Sequence, residues 1–288
     1  MAATLLAASS GCPGTTPPAA PAPPEKPKPA AFQVPSDTLV SKDAVGAAIR
    51  RGRAILAATA DSLPAQVGNA LRCTSCHLRD GTTPDAAPRI GVYSRFPQYR
   101  SRNAKVNQIQ DRVNDCFRRS LNGKPLGWDT PEMAAIVAYL AFLSRGVAPP
   151  GEVPGQGFRK MEPLAPDTAR GRLVYATQCA RCHGGNGEGV PNPDPTASPR
   201  VYPPVYGPRS FNIGAGMARL RTAAAFIRYN MPYDKAGTLT DQQAFDVAGY
   251  LISRPRPDFP GKENDWPRGD PPPDVAYPTR AGRAKAPQ

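Results

Sequence analysis

The chain has 288 residues, a net charge of +13 at pH 7 and a mean hydropathy of −0.45. This length accommodates two domains of ordinary size, and no apolar run reaches the roughly 18 residues that a membrane-spanning helix needs. The positive charge favours anionic partners, but no nucleic-acid-binding motif accompanies it, so nucleic acid is excluded. With 37 prolines, 26 glycines and 7% aromatic residues, we expect something other than side chains to fill part of the interior.

Residues 1–37 are predicted to be a leader and a tether. A short apolar stretch ends at Ser9-Ser10-Gly11-Cys12, which resembles the cleavage site of a bacterial lipoprotein, although no basic residue precedes it. Residues 13–37 are rich in proline and alanine, a composition typical of an extended spacer. We therefore expect a periplasmic or cell-surface protein whose only membrane link is a lipid on Cys12; an ordinary cleaved signal is the alternative.

Two haem-attachment motifs follow in chain order. Each has the form C-x-x-C-H, in which two thiols bond to the haem and the next histidine coordinates the iron. Zinc and thioredoxin-like sites also use C-x-x-C, but they do not require a histidine directly after each pair. The sequence thus predicts two covalently bound haem c groups, attached at Cys73, Cys76, Cys179 and Cys182 and ligated by His77 and His183.

Similar elements surround both motifs. A helix over residues 41–59 with Gly52-Arg53 precedes the first motif, and Gly171-Arg172 precedes the second. Closing helices are predicted over residues 131–144 and 240–253, because apolar residues recur there at spacings of three and four. Asp129-Thr130-Pro131 and Thr240-Asp241 are typical helix starts.

This repeat predicts an all-α fold with two tandem class I cytochrome c-like domains, long irregular loops and one covalent haem in each domain. We expect an N-terminal domain over residues 38–148, a linker over 149–165 and a C-terminal domain over 166–256. Residues 257–288 lack periodicity and are predicted to form an extended or partly disordered tail.

The distal iron ligands must come from other residue types, because the chain has only two histidines. In the second domain, Met231 precedes the closing helix, where class I cytochromes carry their axial methionine; Met217 and Lys235 are competitors. In the first domain, Cys116 occupies the comparable position and is the candidate ligand. The alternative for Cys116 is a buried free thiol.

Arginines and one lysine surround Cys116 in the sequence. Guanidinium groups pair well with oxyanions, so this cluster favours a small anion as substrate. Because the cluster surrounds a candidate reactive thiolate, Cys116, we expect that anion to contain sulfur. Arg118 and Arg119 are expected to be solvated. The cluster comprises Arg95, Arg100, Arg102, Lys105, Arg112, Arg118 and Arg119.

These residues resemble the dihaem thiosulfate dehydrogenases, which interconvert thiosulfate and tetrathionate. The similar segments are residues 68–78, 96–100, 112, 116–117, 120–123, 214–217, 230–232 and 265–267. The resemblance implies that the Cys116-ligated haem is the active site, and that Arg102, Arg112 and Ser120 act beside it. Some relatives carry lysine directly before the methionine of the second haem, where this chain has Asn230.

The resemblance implies an enzyme that oxidises two thiosulfates to tetrathionate, or reduces tetrathionate. Catalysis would use Cys116, Arg102, Arg112 and Ser120, and electrons would leave through the Met231-ligated haem to a soluble or membrane cytochrome or another redox partner. Two alternatives remain: a non-catalytic dihaem electron-transfer cytochrome, and a haem subunit of a sulfur-oxidising complex.

Overall fold

The computed structural model describes residue 1, residues 31–193 and residues 201–284. The lipoprotein-like motif with Cys12 lies outside these ranges, so the lipid anchor stays a prediction. Within them, no helix is both long enough and apolar enough to span a membrane.

Residues 31–148, all of which the structure describes, form five α-helices, three single-turn 3-10 helices and one β-hairpin. The predicted helices over residues 41–59 and 131–144 correspond to α1 and α5, each somewhat shorter than predicted. The helix that carries Cys116, α4, was not among the predicted elements. The elements are α1 (Ala44–Ala57), α2 (Thr59–Ser62), α3 (Leu78–Gly81), β1 (Gln98–Arg100), β2 (Lys105–Asn107), α4 (Ile109–Arg119) and α5 (Pro131–Phe142).

The described residues of the second half repeat this plan. The predicted closing helix over residues 240–253 is confirmed as α9, and the sheet of the described chain is limited to the β1–β2 hairpin. The all-α class is therefore confirmed. The helices are α6 (Thr168–Gln178), α7 (Ala180–His183), α8 (Leu220–Asn230), α9 (Asp241–Ser253) and α10 (Arg280–Ala284).

In each half, the first long helix crosses the closing helix at a glycine. A Cβ atom on Gly52 of α1 would lie 2.0 Å from the carbonyl oxygen of Ala135 in α5. A Cβ atom on Gly171 of α6 would lie 2.0 Å from the carbonyl oxygen of Asp246 in α9. Any side chain at either position would separate the helices. The repeated Gly-Arg pair of the sequence therefore marks a helix crossing in both domains.

Both closing helices begin at a threonine, as predicted. Oγ1 of Thr130 accepts a hydrogen bond from the backbone N–H of Met133 at 3.2 Å, and Pro131 lies in the first turn of α5. Oγ1 of Thr240 accepts one from the N–H of Gln243 at 3.2 Å. Each contact satisfies an N–H group that has no partner within its helix.

Two apolar clusters form the cores of the two halves. The first surrounds α1, α4 and α5 and includes Ile55, Phe117 and Met133. The second surrounds α6, α8 and α9 and includes Tyr175 and Phe245. Because Phe117 is buried in the first core, it holds α4 and therefore the neighbouring Cys116 in place.

The described part of the C-terminal segment, residues 255–284, returns to the first half of the chain. The N–H of Trp266 donates to the carbonyl oxygen of Arg102 at 2.7 Å. The side chains of Trp266 and Tyr277 are buried. Apart from a short turn at Lys262–Asn264 and α10, this segment has no regular structure, yet it covers the β-hairpin and the end of α4.

Candidate active site

The first haem motif lies on a short helical turn at one wall of a cavity. Nδ1 of His77 lies 2.8 Å from the carbonyl oxygen of Ala87. Because a carbonyl can only accept, Nδ1 carries the proton and Nε2 is left as the metal ligand. Ala87 is in turn held by the linker, since its N–H donates to the oxygen of Gly157 at 2.7 Å. Thr59 accepts a hydrogen bond from the N–H of Cys73 at 3.0 Å and fixes the start of the motif.

Cys116 lines the same cavity as Cys73, Cys76 and His77. It lies on α4, where Nη1 of Arg112 is 3.0 Å from its Sγ. Ser120, one turn further on, also lines the cavity. The structure therefore brings three of the four predicted catalytic residues, Cys116, Arg112 and Ser120, to the first haem motif.

Arg89 is a residue of this cavity that the sequence did not single out. Its Nη2 contacts Nε2 of His77, and its positive charge lowers the pKa of the Cys116 thiol. Coordination of an iron by His77 requires this side chain to adopt another rotamer. No sequence signal separates Arg89 from the other arginines of the chain, because only the fold places it here.

The two guanidinium groups determine the charge of Cys116. Burial would raise the pKa of the Cys116 thiol, but Arg112 and Arg89 outweigh burial and hold the pKa below its ordinary value. Neither arginine forms a salt bridge with a carboxylate in the described ranges. Since cations that are partly withdrawn from water favour anionic partners, these two half-buried guanidinium groups make the cavity suited to a thiolate and further anions.

Arg102, the fourth predicted catalytic residue, does not line this cavity. Its Nη1 donates to the oxygen of Gly214 at 2.8 Å, and its guanidinium lies 4.6 Å from the ring centroid of Trp266. Burial lowers the pKa of Arg102 to about 10, so it remains a cation at neutral pH. Its catalytic role stays a prediction.

Arg119 corrects an expectation from the sequence. We expected a solvated side chain, but it is 11% exposed and both terminal nitrogens lie 2.8 Å from the carboxylate oxygens of Asp265. The reason is tertiary, because Asp265 belongs to the C-terminal segment. Arg118, in contrast, is exposed as expected.

The second haem motif opens into a cavity of about 540 Å³, a size suited to a large cofactor. Cys179, Cys182 and His183 line it, and Nδ1 of His183 lies 2.8 Å from the carbonyl oxygen of Pro203. Met231 and Met217 both line this cavity, whereas Lys235 does not. The candidate ligand Met231 is therefore in place, and Met217 remains its competitor.

The two cavities share a wall formed by Leu71, Arg72 and Cys76. At both motifs, a histidine with a fixed tautomer and two cysteines line one cavity, so the donor set fits haem c. The first cavity has a volume of only about 60 Å³, against about 540 Å³ at the second motif, so a haem at His77 requires Arg89 and other lining side chains to move outward.

Comparison with known proteins agrees with this geometry. Residues 65–148 match the family described as SoxA/TsdA, cytochrome c domain, and residues 168–254 match the family described as cytochrome c. A thiosulfate dehydrogenase of Psychrobacter arcticus is 46% identical over 249 residues, covering 85% of this chain and 74% of that protein. A thiosulfate dehydrogenase of Allochromatium vinosum is 42% identical over 240 residues, covering 82% and 88%.

A solved structure extends the similarity to the fold. The thiosulfate dehydrogenase TsdBA of Marichromatium purpuratum is 35% identical, with a TM-score of 0.74. The match covers 80% of this chain and 50% of that one, so the present chain spans about half its length.

Two cytochrome c domains, each with an attachment motif, define the class of this protein as a dihaem c-type cytochrome. Its two haems are covalently bound, as predicted. Because the identity extends over most of the chain, the protein belongs to the thiosulfate dehydrogenase family of oxidoreductases.

Proposed function

We propose that this protein oxidises two thiosulfate dianions to one tetrathionate dianion, or catalyses the reverse reaction, with Cys116 as the reactive sulfur. The observation that carries the proposal is the position of Cys116. It lines the cavity of His77, and Nη1 of Arg112 is 3.0 Å from its Sγ. A sulfur held as an anion beside an electron acceptor can form and break bonds to another sulfur.

His77 with Cys73 and Cys76 would hold a haem that supplies an electron acceptor beside this sulfur, and His183 with Cys179 and Cys182 would hold the haem through which electrons leave. The residues of the cavity bind the substrate. Arg112 and Arg89 attract the dianion into a buried space, and the hydroxyl of Ser120 is a further donor for a sulfonate oxygen. The family resemblance also assigns Arg102 a role in binding the substrate. Arg102 lies outside the cavity, so this role stays a prediction.

In the first step, the Cys116 thiolate forms a bond to the outer sulfur of one thiosulfate. The two electrons that this bond formation releases would be taken up by the haems held at His77 and His183, one by each. The outer sulfur of a second thiosulfate then attacks the thiosulfate sulfur bonded to Cys116. The new sulfur–sulfur bond completes tetrathionate, and Cys116 departs as a thiolate. No proton is taken up or released, because every sulfur group reacts as an anion.

We further propose that Met231 ligates the second haem, and that this haem passes electrons to a soluble or membrane cytochrome or another redox partner. A thioether ligand raises the reduction potential, which suits the haem that electrons reach second. Export to the periplasm or cell surface is part of the proposal, and it is supported by the haem-attachment motifs together with the lipoprotein-like leader.

The test uses the purified holoprotein with thiosulfate and an electron acceptor, and separately with tetrathionate and a reductant. Cys116→Gly is expected to abolish turnover in both directions while both haems stay attached, as measured by mass spectrometry. Arg118→Gln, an exposed change on the same helix, is the control and should keep wild-type rates. Thiosulfate-dependent haem reduction at the wild-type rate in Cys116→Gly would contradict the proposal.

A further inference from the structure

The end of α4 is held by a residue from the far end of the chain. Arg119 and Asp265 form a two-bond ion pair, with side chains that are 11% and 7% exposed. The hydroxyl of Tyr277 donates a further hydrogen bond to Asp265 at 2.5 Å. The ring of Phe259 lies 4.1 Å below the Arg119 guanidinium. The last residue of the helix that carries Cys116 is thus enclosed by the C-terminal segment.

The backbone at the same end of α4 is bound as well. The N–H of Asn212 donates to the oxygen of Arg119 at 3.2 Å, and its side-chain amide donates to the oxygen of Arg118 at 2.8 Å. Asn69 donates to the oxygen of Ser120 at 2.9 Å. These carbonyls have no partner within the helix, so tertiary contacts determine where α4 ends.

The ion pair differs from these backbone bonds because it is charged and buried. Nε of Arg119 is buried without a hydrogen-bond partner, so the cation depends on Asp265 and on the carbonyl of Gly214 at 3.5 Å. Loss of the carboxylate would leave a buried cation with little compensation. Arg119 would then move toward solvent and draw the last turn of α4 with it.

We propose that Asp265 is a positioning residue of the active site, which acts through Arg119 to hold the last turn of α4 and so keeps Cys116 in its cavity. Cys116 lies one turn before Arg119, and Ser120 follows it directly. A shift of this turn therefore moves both groups relative to His77. The effect on thiosulfate kinetics depends on the proposed function, whereas the effect on the position of Cys116 does not.

The test measures how fast iodoacetamide alkylates Cys116 in the folded holoprotein, with the modified peptide identified by mass spectrometry. Asp265→Asn removes the hydrogen bonds between Arg119 and a charged group, so the last turn of α4 should be held less firmly and Cys116 should become more accessible. We expect the alkylation rate of Cys116 to rise about tenfold or more. Asp265→Glu keeps the charge and should restore part of the protection. In the same proteins, the KM for thiosulfate should rise in Asp265→Asn, and the electron paramagnetic resonance spectrum of the first haem should change.

Asp246→Asn is the matched control, because Asp246 is also a buried carboxylate paired with an arginine, but it lies in the second domain away from α4. It destabilises the fold without contacting the Cys116 helix, so the alkylation rate should stay at the wild-type value. Asp258→Asn removes an exposed pair in the C-terminal segment itself and should also have no effect.

Equal alkylation of Cys116 in Asp265→Asn and Asp246→Asn would overturn the proposal. If Asp265→Asn does not fold, Tyr277→Phe removes one hydrogen bond from the same carboxylate and is judged by the same comparison. Faster alkylation together with no thiosulfate turnover in the wild-type protein would support the positioning role and reject the proposed function.

Discussion

Arg112 and Cys116 lie four residues apart on one helix, and this spacing places Nη1 of Arg112 3.0 Å from Sγ of Cys116. Residues four apart share a helix face, so the helix itself holds the cation beside the sulfur. The helix alone therefore sets the distance between Arg112 and Cys116. The rest of the fold determines only where this pair lies relative to His77.

Arg112→Gln should lower kcat/KM for thiosulfate by about 10- to 150-fold, the equivalent of about 1.5–3 kcal/mol for a hydrogen bond to a charged group. The change removes the cation that favours both the thiolate and the dianion. Steady-state kinetics at constant ionic strength measure the effect. Arg112→Lys should recover part of the loss, and Arg118→Gln should match the wild type; similar rates in both glutamine variants would contradict the role of Arg112.

Arg89→Gln should weaken thiosulfate oxidation by a similar factor of about 10 or more, because a second half-buried cation of the cavity is lost. Stopped-flow reduction of the first haem by thiosulfate checks this directly. Arg79→Gln, an exposed change beside the same haem motif, is the control. If thiosulfate reduces the first haem equally fast in Arg89→Gln and Arg79→Gln, Arg89 has no part in binding the anion.

Met231→Ala and Met217→Leu separate the two methionines of the second cavity. Loss of a thioether ligand should lower the reduction potential of the second haem and remove the methionine charge-transfer band of the ferric form. We expect both changes in Met231→Ala and neither in Met217→Leu, as followed by spectroelectrochemistry. The reverse pattern would assign Met217 as the ligand.

Asp246→Asn should destabilise the second domain by about 1–3 kcal/mol at pH 7. Burial would raise the pKa of Asp246, but hydrogen bonds from Arg170, the N–H of Asp167 and Gln242 hold it below its ordinary value. A lowered pKa contributes stability above the unfolded value of about 3.9, and this contribution is lost as the pH falls through the folded value. Urea unfolding at several pH values should therefore show that the difference in unfolding free energy between the wild type and Asp246→Asn is constant above about pH 5 and shrinks below about pH 4.

If this difference in unfolding free energy stayed constant down to pH 3, the charge of Asp246 would not contribute to the stability of the fold. Asp258→Asn provides the comparison, since its lysine pair is exposed. Such surface pairs contribute little, so this variant should unfold close to the wild type at every pH.

Local patterns of the sequence were sufficient for much of the fold. The haem motifs are contiguous, and the closing helices repeat their apolar residues within a few turns. The sequence repeats Gly52 and Gly171 at equivalent positions, but only the structure shows that each is the point where two helices cross. The start residues Thr130 and Thr240 were likewise predicted, because a helix cap depends on its immediate neighbours.

The arginines show where such patterns fail. Nothing in the sequence distinguishes Arg89, Arg102, Arg112 and Arg119 from one another. The fold places Arg89 and Arg112 beside Cys116, and the other two against the C-terminal segment. Asp265, the partner of Arg119, is 146 residues away. No local periodicity connects residues at that separation, so burial and pairing of these side chains could only be seen in three dimensions.

The wall of Leu71, Arg72 and Cys76 between the two cavities has a consequence for how electrons would leave in the proposed reaction. Joining two sulfur atoms releases electrons as a pair, whereas each haem iron takes one. In the proposed reaction, the haems held at His77 and His183 would each accept one of these electrons, and the residues shared by the two cavities place the two attachment sites beside each other. The protein would then hold both electrons of one turnover, so that an acceptor of single electrons could collect them separately.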